Sequence, residues 1–275
     1  MSCSPIRSDT STGTANKTAV ITGGASGMGR VFALRMIQEG FQLAVIDQSQ
    51  NALNELAAEV QALGLERFLH CHCLDVRDSE ALRLLASQHS EQFGAIDRLV
   101  TCAAIMPTSG LAQQQADQIN QIMNINYGGT VNAVAAVLPQ MLARDRGEVI
   151  VFGSSGGYLP VPECGAYVAS KFATNIYLET LMEENRNANV QFMLVCPPLV
   201  DTPLLQQAVD SSNPQMIQDS IRDKRFVSPD YIIDQVEAGI RSGKKILIPG
   251  AATKLMVWLR RFSPRMLWKF IHLAE

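Results

Sequence analysis

The chain has 275 residues and a mass of 30.0 kDa, with 47% hydrophobic and 18% charged residues, which supports a sizeable core and excludes a disordered chain. A formal charge of −3, from 23 basic and 26 acidic side chains, offers no nucleic-acid footprint. Six cysteines are too sparse for a disulfide scaffold, the first twenty residues lack an apolar signal core, and no run approaches a membrane span. The expectation is a cytoplasmic protein with reduced thiols and without a nucleic-acid partner.

Residues 1–16 are rich in Ser and Thr and read as a mobile tail. From Lys17 onward, short apolar runs alternate with longer stretches whose apolar residues recur at spacings of three and four. The runs 18–21, 42–46, 98–102, 148–152, 190–195 and 245–248 predict buried strands, and 67–74 predicts a less apolar one. Segments 51–63, 79–93, 118–144 and 166–187 predict helices. Strand and helix in alternation imply an α/β fold: one doubly wound parallel sheet of about seven strands, with helices on both faces. No internal repeat and no long linker divides 17–249. The expected organisation is a tail at 1–16, a catalytic domain at 17–250 and a basic amphipathic extension at 251–275.

After the first strand comes Thr22-Gly23-Gly24-Ala25-Ser26-Gly27-Met28-Gly29, which leads into a helix. Glycines let backbone approach a pyrophosphate closely, and helix N-terminal amides favour its charge, although glycine also serves ordinary strand-to-helix turns. The second strand ends in Asp47, eighteen residues after Gly29, where a carboxylate can accept hydrogen bonds from both hydroxyls of an adenosine ribose. Asp47 would repel a 2′-phosphate by about 4 kcal/mol at roughly 4 Å and an effective dielectric near 20. No Lys or Arg lies between Gly23 and Met28, or between Asp47 and Leu65, to offset that repulsion; Arg30 sits inside the first helix. The pattern favours a Rossmann-like domain binding NAD (NADH) over NADP.

Tyr167 and Lys171 stand four residues apart, on one face of the helix expected at 166–187. A free phenol has a pKa near ~10, and a cation within about 4–6 Å lowers it by roughly 1–3 units. Ser154 ends the strand at 148–152 and stands thirteen residues before the tyrosine, where it could hold a substrate oxygen.

Taken together and in order, these motifs resemble the short-chain dehydrogenase/reductase family in its Tyr-x-x-x-Lys form, over roughly residues 17–250. The glycine pattern falls on Thr22 to Gly29, an Asp-Val pair bordering the adenine pocket on Asp75 and Val76, and the helix asparagine on Asn126. The resemblance implies that Tyr167 exchanges a proton, that Lys171 lowers its pKa and binds nicotinamide ribose, and that Ser154 orients the substrate oxygen. It also implies that Asn126 supports a water relay through its helix backbone, and that Ala103, Pro197, Val200 and Thr202 border the cofactor, with Val200-Asp201-Thr202 holding the carboxamide. The hydride comes from the cofactor.

Two segments depart from the family pattern. Thr101-Cys102-Ala103-Ala104 replaces Asn-Asn-Ala-Gly, which removes strand-tying side chains and adds a methyl near the cofactor path. Pro197-Pro198 replaces Pro-Gly, which stiffens the approach to a substrate-covering loop at 202–228. In that loop Leu204, Leu205, Val209, Met216, Ile217 and Ile221 favour an apolar substrate, although such residues also suit an interface.

His70-Cys71-His72-Cys73 mimics a metal-binding run, but alternate strand residues face opposite sides, so no metal site is expected. Cys164 suits pocket packing better than redox chemistry, and Glu163 either faces the pocket mouth or solvent. Residues 254–275 carry five Lys or Arg, one acid and both tryptophans, Trp258 and Trp268, with Pro264 dividing two short helices. Such a stretch packs within an oligomer, touches a membrane peripherally through 254–273, or covers the substrate.

The reading is an NAD-dependent oxidoreductase that interconverts a secondary alcohol and a ketone on a hydrophobic or ring-containing molecule. The alternatives are sugar or acyl-thioester carbonyl chemistry, or a non-catalytic NAD sensor. The helices at 118–144 and 166–187 resemble the family's pairing helices and imply a homodimer or homotetramer.

Overall fold

A computed structural model describes residues 17–266, so the tail expected at 1–16 and the end of the extension, including Trp268, lie outside the described residues. The described residues start with β1 (Thr18–Thr22), α1 (Gly27–Gln38), β2 (Gln42–Asp47), α2 (Gln50–Ala62), β3 (Leu69–Cys73), α3 (Ser79–Phe93) and β4 (Arg98–Thr101). It continues through α4 (Ala116–Met123), α5 (Gly129–Ala143), β5 (Gly147–Phe152), α6 (Gly165–Glu184) and β6 (Val190–Val195). Then follow α7 (Pro203–Asp210), α8 (Gln215–Arg222), α9 (Pro229–Arg241), β7 (Ile246–Leu247) and α10 (Ala251–Phe262).

Among the described residues seven strands form one parallel sheet in the order β3-β2-β1-β4-β5-β6-β7, the doubly wound arrangement expected from the alternation. Strand β1 is buried throughout, because each of its faces is covered by helices. One core layer joins Phe32, Met36 and Ile37 of α1 with Leu53 and Leu56 of α2 and Ile232 and Val236 of α9. The opposite layer joins Leu82 and Leu85 of α3, Val134 and Val137 of α5, and Leu178 and Met182 of α6. Arg35 of α1 ties the first layer to α9 through Asp234 at 2.6 Å and Asp230 at 3.1 Å.

The expected helix at 118–144 is interrupted by a π-helical turn, Asn124–Gly128, between α4 and α5. The last strand is shorter than the apolar run predicts, since only Ile246 and Leu247 pair with β6. The expected extension contains α10, then a break at Ser263 before Pro264, where the helix was expected to divide. In β3, His70 bonds Gln42 at 2.9 Å and stacks 4.2 Å from Phe93, whereas the Cys71 thiol approaches the Leu53 carbonyl at 3.9 Å. Among the described residues no three His, Cys, Asp or Glu side chains cluster as metal ligands, and no helix is long and apolar enough to cross a membrane.

The winding of the sheet reverses between β1 and β4, leaving a crevice beyond their C-terminal ends. Every loop that carries a candidate site residue opens into that end of the sheet.

Candidate active site

The loop after β1 is shaped by close backbone approach. Gly23 has φ +65°, and a Cβ there would stand 2.5 Å from the Ala103 amide nitrogen beyond β4. A Cβ at Gly29 would collide with the Gly23 carbonyl oxygen. These two glycines therefore seat α1 against the ends of β1 and β4. Ser26 is the N-cap of α1 but makes no side-chain cap bond, and the first turn carries no acid. The leading amides of α1 are left available at a cavity of about 240 Å³ lined by Gly23, Ser26, Gly27, Met28 and Gly29. That donor set fits an anionic pyrophosphate.

Asp47, Asp75, Val76, Ala103 and Thr202 line the same cavity. The Asp47 carboxylate accepts the Ala25 amide at 3.2 Å and the Ser49 amide at 3.1 Å, which fixes its orientation at the cavity wall. Asp75 is clasped by Arg77 at 2.5 Å, and this guanidinium holds its carboxyl below the usual range. No Lys or Arg lines the cavity among the described residues. Arg30, the nearest candidate by sequence, pairs with Glu59 of α2 at 2.5 Å.

A second cavity of about 130 Å³ adjoins the first, and Met28, Cys102, Ala104, Thr202 and Leu204 line both. Ser154, Tyr167, Lys171, Pro197 and Val200 converge on it. Ser154 follows β5 and is held by its carbonyl, which accepts the Asn175 amide at 3.1 Å, while its Oγ accepts the Gly156 amide at 3.0 Å. Tyr167 and Lys171 project from α6, with the ammonium 5.9 Å from the phenol ring centroid and donating to the Phe152 carbonyl at 2.8 Å. Burial pushes the Tyr167 phenol up to about 12 while a hydrogen bond with Ser154 opposes the shift, and burial lowers Lys171 to about 8. Desolvation outweighs the one-turn spacing here, so the lysine does not by itself bring the phenol toward neutrality.

Asn126 lines neither cavity. It is fully buried in the π-helical turn, accepting the Ile105 amide at 2.8 Å and donating to the Ile105 carbonyl at 3.0 Å and to Ser170 Oγ at 2.9 Å. Its side chain thus fastens the segment after β4 to α6, one residue from Lys171. The first sequence departure has two visible consequences: Thr101 Oγ1 is buried without a partner, and the Ala104 methyl stands where the two cavities meet. An unsatisfied buried hydroxyl costs about 1–3 kcal/mol.

Of the loop residues expected to favour an apolar ligand, Leu204, Leu205, Met216 and Ile217 line the inner cavity. Val209 packs beside it, whereas Ile221 is exposed at the surface and contributes nothing to the wall. Cys164 also lines the wall, and burial with the neighbouring Glu163 pushes its thiol up to about 12, a packing environment and not a reactive one. Glu163 itself lines neither cavity; its backbone, at φ +59°, accepts the Ser109 amide at 2.9 Å.

Sequence reasoning missed Gln207, which lines the outer cavity and accepts the Met106 amide at 2.9 Å, latching α7 to the segment after β4. It also missed Asn175, although its place one turn beyond Lys171 on α6 was a usable signal.

A family model described as short chain dehydrogenase matches residues 17–213. A glycine betaine reductase, ATRR, of Emericella nidulans is 32% identical over 195 residues, covering 71% of this chain but 15% of that protein. The probable oxidoreductase EphD of Mycobacterium tuberculosis is 27% identical over 90% of this chain and 43% of its own length, so the chain spans less than half of either relative. Dehydrogenase/reductase SDR family member 7B of Bos taurus is 28% identical, with 93% of this chain and 80% of that protein covered. A short-chain dehydrogenase/reductase of Burkholderia phymatum, solved in complex with NAD, superposes with a TM-score of 0.80 at 24% identity, covering 91% and 95% of the two chains. An alcohol dehydrogenase of Thermococcus sibiricus, solved with 5-hydroxy-NADP, superposes at 0.71 with 25% identity over 84% and 95%. The glycine-bounded loop, the buried Ser-Tyr-Lys group and the family match converge: the chain belongs to the short-chain dehydrogenase/reductase family.

Proposed function

We propose that the protein is an NAD-dependent oxidoreductase interconverting a secondary alcohol and a ketone on an apolar or ring-containing small molecule. The observation that carries this reading is the junction of Ser154, Tyr167 and Lys171 in an apolar cavity that adjoins one of about 240 Å³ bearing two acids and, among the described residues, no cation. Tyr167 exchanges the proton with the substrate oxygen, and Ser154 orients that oxygen against the phenol. Lys171 holds its charge beside the tyrosine from the Phe152 carbonyl. Asn126 acts as a positioning residue through Ser170 and Ile105. Bound NAD would accept the hydride, and its positive ring would favour the phenolate that burial disfavours.

Asp47 and the absence of a lining cation support NAD over NADP. The apolar wall of Met106, Val161, Val168, Leu199, Leu205 and Ile217 supports a hydrophobic substrate over a sugar. An apolar cavity of about 150 Å³ accommodates benzene, so the inner cavity of about 130 Å³ suits one small ring, with larger parts toward its mouth. A sensor without catalysis would not require a buried lysine beside a buried tyrosine, since burying each costs stability. In this reading residues 17–250 carry the reaction, 202–228 cover the substrate, and subunits pair through the α4–α6 face, where Ile176 and Phe172 stand exposed beside Met123 and Tyr127.

The test is NADH absorbance with NAD and a panel of secondary alcohols from short aliphatics to steroids and terpenols. Tyr167→Phe is expected to lower turnover by about 10²–10⁴-fold, the usual worth of general acid–base assistance, while NADH binding persists. Unchanged turnover in that variant defeats the mechanism.

A further inference from the structure

We propose that α10 docks the protein on an anionic membrane surface. This helix contributes no buried residue. At 3.6 residues per turn, Leu255, Trp258 and Phe262 fall in one stripe, exposed by 63%, 58% and 65%. The Trp258 and Phe262 rings pair at 5.0 Å between centroids, so the stripe is a preformed aromatic ridge. Thr253, Val257 and Arg260, on the other side of the helix, are half-buried, as is Leu259 on the flank of the stripe. Lys254 and Arg261 stand exposed along the edge of the stripe, and Arg265 continues it.

Charge selects the partner. Residues 1–237 hold 15 basic and 25 acidic side chains, whereas residues 238–275 hold eight basic and one acidic, Glu275. An anionic surface is therefore repelled by most of the chain and attracted at this end, which fixes orientation as well as affinity. Trp, Phe and Leu on one side with Lys and Arg beside them is the chemistry of a helix lying in the headgroup region. A second copy would bring two cationic stripes face to face, so charge opposes that occupant.

Topology adds a consequence. Strand β7 is parallel to the others, and α10 starts after Ile248-Pro249-Gly250, so the helix leaves from the end of the sheet that carries the cavities. Docking keeps the apolar cavity on the membrane-bound end of the protein. The docking does not depend on the reaction assigned to that cavity.

Full-length protein is mixed with vesicles of phosphatidylcholine, with or without about one third phosphatidylserine, and sedimented at low ionic strength. Binding is expected to the anionic vesicles and to weaken with salt. Lys254→Gln with Arg261→Gln removes two charges and should weaken binding about thirtyfold. Trp258→Ser with Phe262→Ser should weaken it at least about tenfold through lost apolar burial. In a Trp268→Phe background, Trp258 emission should shift to the blue on adding anionic vesicles; this reading uses the intact stripe and so does not depend on how the serine variant folds. No sedimentation with anionic vesicles, equal binding by the stripe variant, or an unshifted Trp258 emission overturns the proposal. A lower mass in light scattering for the stripe variant, with wild type indifferent to vesicles, overturns it in favour of a second copy.

Discussion

Replacing Asp47 by Asn is the sharpest test of cofactor choice, because the structure isolates the charge at that position. The carboxylate is held by the Ala25 and Ser49 amides, and asparagine retains an acceptor for one of them, so the loop should keep its shape. A hydrogen bond to a charged group is worth about 1.5–3 kcal/mol. Losing one such bond to the adenosine ribose should weaken NADH binding about tenfold to a hundredfold. For NADPH the change runs the other way, since removing the carboxylate relieves up to about 4 kcal/mol of repulsion against a 2′-phosphate before screening. Among the described residues no cation lining the cavity masks the change: Arg30 pairs with Glu59, and Arg77 with Asp75. The ratio of NADH to NADPH affinity should therefore shrink by about a hundredfold or more. Fluorescence titration of both reduced nucleotides, in wild type and variant, reads this ratio directly. A ratio that stays within about threefold would show that Asp47 does not set the preference.

Gly23→Ala adds a methyl 2.5 Å from the Ala103 nitrogen at a backbone with φ +65°. Left-handed strain and overpacking together should cost about 2–5 kcal/mol, seen as a lower thermal midpoint, and an unchanged midpoint would contradict the close approach. Burial lowers His89 from 6.5 to about 4, so the unfolded chain takes up a proton between those values while the folded chain does not. Stability should therefore fall as pH drops from 6.5 to about 4, and His89→Gln should flatten that part of a urea-denaturation pH profile. Ile176→Glu places a charge on the exposed α6 face, where Ile176 is 61% exposed; light scattering should report a smaller assembly, and a mass unaffected by the change would move the pairing surface elsewhere.

The fold was legible because two periodicities alternate along the chain. Runs such as 43–46 and 192–195 are apolar without interruption, as strands covered on both faces must be, and both lie in the parallel sheet. The short pairing of β7 was less legible, since an apolar run records burial and not the length of a ladder. The π-helical turn was hidden too, because Asn124–Gly128 keeps the apolar spacing of the helices beside it. Ile221 shows the same limit from the other side: its chemistry matches its loop neighbours, yet its helical phase turns it to the surface.

The sequence by itself determined what is encoded locally: the strand–helix alternation, the glycine turn after β1, the acid at the end of β2 and the one-turn spacing of Tyr167 and Lys171. Tertiary structure alone decided how distant residues share out their contacts. It committed Arg30 to Glu59, Asn126 to Ile105 and Ser170, and Gln207 to the Met106 amide. It also set the balance at the Tyr167 phenol, where spacing promised a lowered pKa and burial raised it. Desolvation depends on everything packed around a group, and no local stretch of sequence contains that sum.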